Sequence, residues 1–339
     1  MSLINTSWSD LDVTSYRDSG VDVAGAEEHV ARIAEDVTST WSDNVVGTFG
    51  GFAAGIEIPD GYTTPVLMMS TDGVGTKLDL AKRTDAWDGV GFDLVAMCVD
   101  DLATVGASPL GFVDYMAVGA LNPDRDARIV RSVARACVAA GCALLGGETA
   151  EHPGVMDHDA VDLAGAVMGV VEKGAHLGPH RVKVGDAIVG LRSPNLRSNG
   201  FSLVRTVLDS QIDHHADALL EPSVIYSPAV LDSIATGSVH AAAHITGGGL
   251  AGNLTRSLPD GLGATIDSSS WSVPNVFGVI SSHGVNKEDM YSTFNMGIGF
   301  CLLVDAGGAA EVMAEVSAHA PTLIGLVSED DGVTIEGIG

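Results

Sequence analysis

Ser70-Thr71-Asp72-Gly73-Val74-Gly75-Thr76-Lys77 is the stretch whose reading decides the fold. It follows Pro65-Val66-Leu67-Met68-Met69, a run suited to a buried strand, and precedes the helix-like Leu78-Asp79-Leu80-Ala81-Lys82. A strand ending in a carboxylate, two glycines, a hydroxyl and a lysine has the parts of a polyphosphate and metal site. Glycines let the backbone approach an anion, and amide N–H groups and lysine neutralise it. An aspartate there can hold Mg²⁺, which takes oxygen ligands and bridges to phosphate. The same residues also suit a tight strand-to-helix turn with a polar cap. The rest of the chain has to choose.

The chain has 339 residues, enough for two domains, and 46% of them are hydrophobic, enough for a full core. No apolar run is long enough to cross a bilayer, and the polar N-terminus does not read as a signal peptide, so a cytoplasmic location is expected. Cys98, Cys137, Cys142 and Cys301 show no paired spacing and read as buried free thiols. Seventeen basic against 44 acidic residues give a net charge of −27, which argues against nucleic acid and anionic membrane as partners. A phosphorylated substrate would then need local positive charge.

Outward from the opening stretch, glycine-marked segments recur where strands end. Upstream, Gly47-Thr48-Phe49-Gly50-Gly51-Phe52-Ala53-Ala54-Gly55 reads as a connecting loop, or as a flap whose N–H groups close over a nucleotide. Downstream, residues 88–106 read as one helix bearing adjacent carboxylates, Asp100 and Asp101, on an otherwise apolar sequence; a solvated face or a cation partner would explain them. Phe112 to Val118 reads as a strand with one carboxylate, Asp114, and Asn122-Pro123 starts a helix to about Ala140. Ala143-Leu144-Leu145 reads as a short strand followed by a loop, Gly146-Gly147-Glu148-Thr149-Ala150-Glu151-His152. Residues 174–185 turn polar, which places a boundary between 1–175 and 176–339. In the second part Arg197-Ser198-Asn199-Gly200 precedes a helix and offers N–H groups to an anion, or simply caps that helix, and His244 stands just before Thr246-Gly247-Gly248-Gly249. There is no P-loop, G-x-S-x-G, HExxH or zinc spacing.

In this order, the segments resemble the phosphoribosylformylglycinamidine cyclo-ligase family, the aminoimidazole ribonucleotide synthetases. The motifs are residues 16–22 (Tyr-Arg-Asp-Ser-Gly-Val-Asp), 71–77, 97–102, 112–115, 146–151, 198–205, 244–250 and 294–297, nearly end to end. The resemblance implies α/β and α+β architecture in two domains: N-terminal strands forming a barrel across a homodimer, and a C-terminal α+β sandwich. It implies ATP and Mg²⁺ as cofactors and a small ribonucleotide as substrate. It further implies that Asp72 and Asp101 hold the metal and that Lys77 neutralises phosphate. Gly50, Gly51, Gly73, Gly75 and Thr76 would line the nucleotide. Asp101, Lys77, Glu148 and His244 would carry the catalysis, and Thr149, Glu151, Arg197, Ser198, Asn199 and Gly200 would bind the substrate.

Three positions depart from the family pattern. Arg197 stands where the family usually has histidine, Asp100 where it has asparagine, and His152 where it has methionine. Arginine keeps its charge, so position 197 can bind phosphate but cannot exchange a proton. Alternatives are a selenophosphate synthetase-like or thiamine-phosphate kinase-like enzyme, or a catalytically silent nucleotide-binding subunit. His244 and the lack of an N-terminal reactive cysteine weigh against the first group, and Asp72, Lys77 and Asp101 against the last.

Overall fold

The computed structural model describes residues 21–338, so most of the motif at 16–22 lies outside the described residues. The first half comprises α1 (Val23–Thr38), the two-residue strands β1 (Val45–Val46) and β2 (Gly55–Ile56), β3 (Pro65–Gly73), α2 (Lys77–Thr84), α3 (Val90–Thr104), β4 (Ser108–Val118), α4 (Pro123–Ala140), β5 (Ala143–Glu151) and β6 (Val161–Glu172). The second contains β7 (Ala187–Arg192), α5 (Phe201–Leu208), α6 (Ile212–Leu220), α7 (Ser227–Ile234), β8 (Val239–His244), α8 (Gly249–Thr255), β9 (Gly263–Asp267), α9 (Asn275–Ser282), α10 (Lys287–Thr293), β10 (Ile298–Val304), α11 (Ala309–Glu315), β11 (Thr322–Ser328) and β12 (Gly332–Glu336).

The longer strands form two mixed sheets. The first has the order β3-β6-β4-β5, antiparallel except for β4 with β5. One face is packed by α3 and α4 through Leu94, Cys98, Phe112, Ile129 and Val133. The opposite face leaves Leu67, Met69, Val113 and Tyr115 exposed. This sheet is open: no closed barrel forms among the described residues. The second sheet has the order β12-β9-β11-β7-β10-β8, parallel only between β12 and β9. Each of its faces carries a core, one with Phe201, Leu250 and Phe277, the other with Tyr226, Val230 and Val312.

Local chemistry explains these elements. Helix α4 starts on Asn122, whose side chain accepts from Arg125 N at 3.1 Å, has Pro123 in its first turn, and stops at Gly141 with φ 72°. Strand β5 is longer than the sequence reading, because Gly146 to Glu151 continue the strand rather than form a loop. The pairing of Gly147 with Asp114 and of Glu148 with Tyr115 holds these residues in the sheet despite the two glycines, with the register shift at Val113 and Gly146 absorbing the irregularity. Helix α3 is central, with both its ends and its middle buried. Asp93 and Asp100, two turns apart on one face of it, reach residues of the second half. All four cysteines are free and buried, in keeping with the sequence.

Candidate active site

Strand β3 carries Ser70 and Asp72 toward the face on which α3 lies, and α3 brings Asp101 to them. Ser70 Oγ donates to Asp101 Oδ2 at 3.1 Å, and His244 Nδ1, at the end of β8, lies 2.9 Å from Asp101 Oδ1. His244 is 4% exposed and its Nε2 has no hydrogen-bond partner among the described residues. Burial pushes Asp101 up, but the bonds from His244 and Ser70 and the charge of Arg256 outweigh it, so its carboxyl sits below the usual range. Asp72 is held above its usual value, chiefly by partial desolvation and then by the charge of Asp101, against the Gly73 N–H. Two carboxylates with opposite shifts, near a hydroxyl and an imidazole, form an oxygen-rich donor set that suits Mg²⁺. A cleft of about 360 Å³ opens beside them, lined by Ser70, Asp101, His244, Asn253 and Arg256.

The loop before α5 meets the opening stretch directly. Ser198 Oγ donates to Val74 O at 2.9 Å, Thr76 Oγ1 lies 3.2 Å from Ser202 Oγ, and Asn199 Oδ1 accepts from Gly247 N at 3.1 Å. Gly73, Gly75, Thr76, Ser198, Asn199, Gly200, Asp72, Asp101 and His244 thus gather around one region.

Lys77 and Arg197 stand there too, but point inward. Lys77 is 1% exposed; its Nζ donates to Asp93 Oδ1 at 2.8 Å and to the carbonyls of Arg197 and Glu221. Arg197 is 0% exposed; its Nη2 donates to Asp100 Oδ2 at 2.5 Å and to Val224 O, its Nη1 to Gly299 O, and its guanidinium lies 4.9 Å from the Tyr226 ring centroid. Neither cation faces the cleft in this structure, so phosphate contact by Lys77 and Arg197 is replaced by internal ion pairing. The reason is tertiary: α3 supplies a buried carboxylate opposite each. Asp100, the extra charge noted in the sequence, is the partner of Arg197 and also accepts from Tyr226 N and Ser227 N at the start of α7, both at 2.9 Å.

The remaining expected residues form a second group. Gly50, Gly51, Glu148, Thr149 and Glu151 line a cavity of about 830 Å³ between α1, the glycine-rich loop and β5. Thr149 Oγ1 lies 3.4 Å from His29 Nε2. Glu151 is already engaged, accepting from Asp22 N and Leu121 N at 2.9 Å each, which ties the start of α1 and the approach to α4 to β5. Glu148 is exposed. Asp114 and His29 also line this cavity and were not among the expected site residues; a lone carboxylate inside the apolar run at 112–118 was the signal for Asp114. For His29, inside an amphipathic helix, the sequence carried none.

Two joined α/β units with mixed sheets define a fold class shared by solved structures of differing name. Thiamine-monophosphate kinase from Stenotrophomonas maltophilia K279a superposes with a TM-score of 0.64 at 20% identity, covering 94% of this chain and 97% of that one. The hydrogenase maturation protein HypE in complex with ATP gives 0.66 at 19%, covering 94% and 92%. Within that class, the chain belongs to the AIR synthase related family, its N-terminal domain family matching residues 53–171 and its C-terminal domain family residues 183–338. It is 42% identical to a phosphoribosylformylglycinamidine cyclo-ligase of Synechococcus sp. (strain CC9605), covering 95% of this chain and 99% of the relative.

Proposed function

We propose that this chain closes the imidazole ring of purine precursors, converting formylglycinamidine ribonucleotide and ATP to aminoimidazole ribonucleotide, ADP and phosphate. The observation that carries this reading is the meeting of Asp72, Asp101 and His244 with the loop at 198–200, within a chain so similar over its length to a cyclo-ligase. The chemistry needs an amide oxygen, a poor leaving group, to become a good one. The formamide oxygen takes the γ-phosphoryl group and ADP leaves; an amidine nitrogen attacks the formyl carbon, and phosphate departs as the nitrogen's proton is lost.

In this reading Asp72 and Asp101 hold Mg²⁺, which when bound would neutralise charge on the phosphates. The chain's own groups orient the rest. Ser70 and His244 fix the Asp101 carboxylate from two sides, and His244 Nε2, buried and unshared, faces the work of accepting or returning a proton. The N–H groups near Ser198, Asn199 and Gly200, at the start of α5, favour the substrate phosphate. The glycine-rich loop at 47–55 covers the nucleotide. Holding both ends of one substrate aligns the nitrogen and the carbon.

Domain limits of 1–175 and 176–339, a cytoplasmic location and a homodimer belong to the same reading. The exposed apolar face at Leu67, Met69, Val113 and Tyr115 supports pairing with a second copy, which would complete a barrel. Met69→Glu is expected to convert the dimer to a monomer in sedimentation velocity; an unchanged dimer would place the contact elsewhere.

The deciding experiment is ADP release with formylglycinamidine ribonucleotide, compared with selenide and with thiamine phosphate. Release dependent on the first substrate alone is expected. No release with it would overturn the reading, and ATP binding without any turnover would mark a silent subunit.

A further inference from the structure

Helix α3 lays two buried carboxylates against the second half of the chain, and the cations they meet converge on one residue. Lys77, paired with Asp93, donates to the carbonyl of Arg197 at 3.1 Å, and the side chain of Arg197 pairs with Asp100. Residue 197 is thus held through backbone and side chain alike. Its N–H donates to Asn195 Oδ1 at 2.9 Å, and its guanidinium also reaches Val224 O at 2.9 Å and Gly299 O at 3.3 Å. The backbone so held sits at φ 60°, in the left-handed region that a residue with a Cβ disfavours and glycine ordinarily occupies. Directly after it come Ser198 and Asn199, both half-buried, and Gly200, which opens α5 at φ 79°. The most firmly bonded residue of the loop therefore stands just before the three residues to which the proposed function gives the substrate phosphate.

We propose that Arg197 is a positioning residue for the phosphate end of the ribonucleotide: tied to Asp100, it holds the loop at 198–200 in shape without touching the ligand. The proposal rests on the cyclo-ligase reading for the identity of that ligand. A guanidinium that is 0% exposed and already bonded to Asp100, Val224 and Gly299 presents no fork to an anion. The same planar fork suits it to pin a turn, because it bonds to several elements at once in fixed directions. Asp100 and Arg197 are two of the three positions at which the chain departs from the family pattern, so one departure is answered by the other. The turn on the nucleotide side needs no such tie. Asp72 and Gly73 pair with Gly165 and Ala164 of β6, and Val74 N donates to Leu163 O at 3.0 Å. Residues 198–200 lie in no strand, and their side chains are fastened by single bonds to Val74 O, Gly247 N and Met97 Sδ. Loss of the Asp100–Arg197 tie should therefore loosen the substrate side and spare the nucleotide side.

Steady-state ADP release by the full chain tests this, first with formylglycinamidine ribonucleotide varied at saturating ATP and Mg²⁺, then with ATP varied at saturating ribonucleotide. The proteins compared are the unaltered chain, Asp100→Asn, Arg197→Met and the double variant. Each variant is expected to raise KM for the ribonucleotide roughly tenfold or more, with KM for ATP within about twofold and kcat within about threefold of the unaltered chain. The double variant is expected to be no worse than the poorer single, since both substitutions break one tie. Where a single variant does not fold, the double variant, which leaves no buried charge unpaired, gives the same comparison of the two KM values. A rise with Arg197→Met but none with Asp100→Asn would mean that Arg197 touches the substrate, and would overturn the proposal. So would an equal rise in both KM values, which marks general loosening, or a ribonucleotide KM in the double variant within about twofold of the unaltered value. If the unaltered chain releases no ADP with this substrate, the cyclo-ligase reading fails instead, and calorimetric titration with inorganic phosphate decides the role of Arg197. Binding weakened roughly tenfold or more in the double variant supports it; equal binding, or none in the unaltered chain, overturns it.

Discussion

Removing either member of the Asp100–Arg197 pair is expected to destabilise the protein far more than removing both. The two side chains are fully buried and 2.5 Å apart. Asp100 also accepts two backbone N–H groups at the start of α7, while Arg197 also donates to two carbonyls and lies over Tyr226. Arg197→Met leaves a carboxylate in the interior with two amides and no cation; Asp100→Asn leaves a guanidinium with carbonyls and a ring. Each uncompensated charge costs about 3–5 kcal/mol, set against a typical total stability of about 5–15 kcal/mol. In the double variant no charge is left. The new amide oxygen at position 100 still accepts from α7, and only the carbonyls of Val224 and Gly299 lose a donor, for about 1–3 kcal/mol in all. The expected double-mutant coupling is therefore several kcal/mol, where independent sites would add to within about 0.5 kcal/mol. Urea unfolding of the four proteins measures it. A single variant within about 1 kcal/mol of the unaltered chain, or a double variant equal to the sum of the singles, would refute the reasoning.

Three further outcomes follow from the geometry. The Asp114 carboxyl, raised by burial to about 7 against about 3.8 in the unfolded chain, means the folded state binds the extra proton between those values. Stability from this group is fully present below about pH 3.8 and is lost as pH rises through 7, so Asp114→Asn should gain on the unaltered chain between pH 5 and pH 8 by about 2.6 kcal/mol in denaturant titrations. Asp101→Asn should cut kcat roughly 10²-fold or more while leaving the unfolding midpoint nearly unmoved, since Ser70 and His244 can still bond the amide. Gly249 begins α8 at φ 64°, and a Cβ there would lie 1.9 Å from Tyr291 O. Gly249→Ala should therefore cost about 2–5 kcal/mol in thermal or urea unfolding, strain and overpacking together.

The elements with strong periodicity were legible in the sequence. Residues 88–106 and 122–140 read as helices and are helices within a residue or two. Strand β5 was cut short because two glycines look like a turn, and only pairing with β4 keeps them extended. The side-chain directions of Lys77 and Arg197 were not legible at all. Lysine after a glycine turn and arginine before a helix both read as anion contacts. What turns them inward is a carboxylate 16 residues away in one case and 97 in the other. Asp100 and Arg197 were each visible as an oddity, yet nothing in a linear reading joins them.

That internal pairing changes how a chain of net charge −27 can hold an anionic ligand. Two of its 17 basic residues, both next to the expected phosphate loops, are neutralised inside the protein. Charge for a polyphosphate must then come from elsewhere. The basic side chains lining the cleft are Arg256 and His244, and on the proposed reading the amides of the glycine-rich turns at 73–75 and 247–249 and a cation on Asp72 and Asp101 would add to them. A site with one arginine and two carboxylates is net negative on its own and would repel a triphosphate. It becomes attractive only when a divalent cation sits on the carboxylates, so nucleotide binding and metal binding should be strongly coupled. Asp72, its carboxyl raised chiefly by partial desolvation and then by the charge of Asp101, is the group there that a cation would favour in its charged form. On the proposed reading, the opening stretch would therefore serve less as a lysine-based phosphate clamp than as a frame of amides and one carboxylate around a cation.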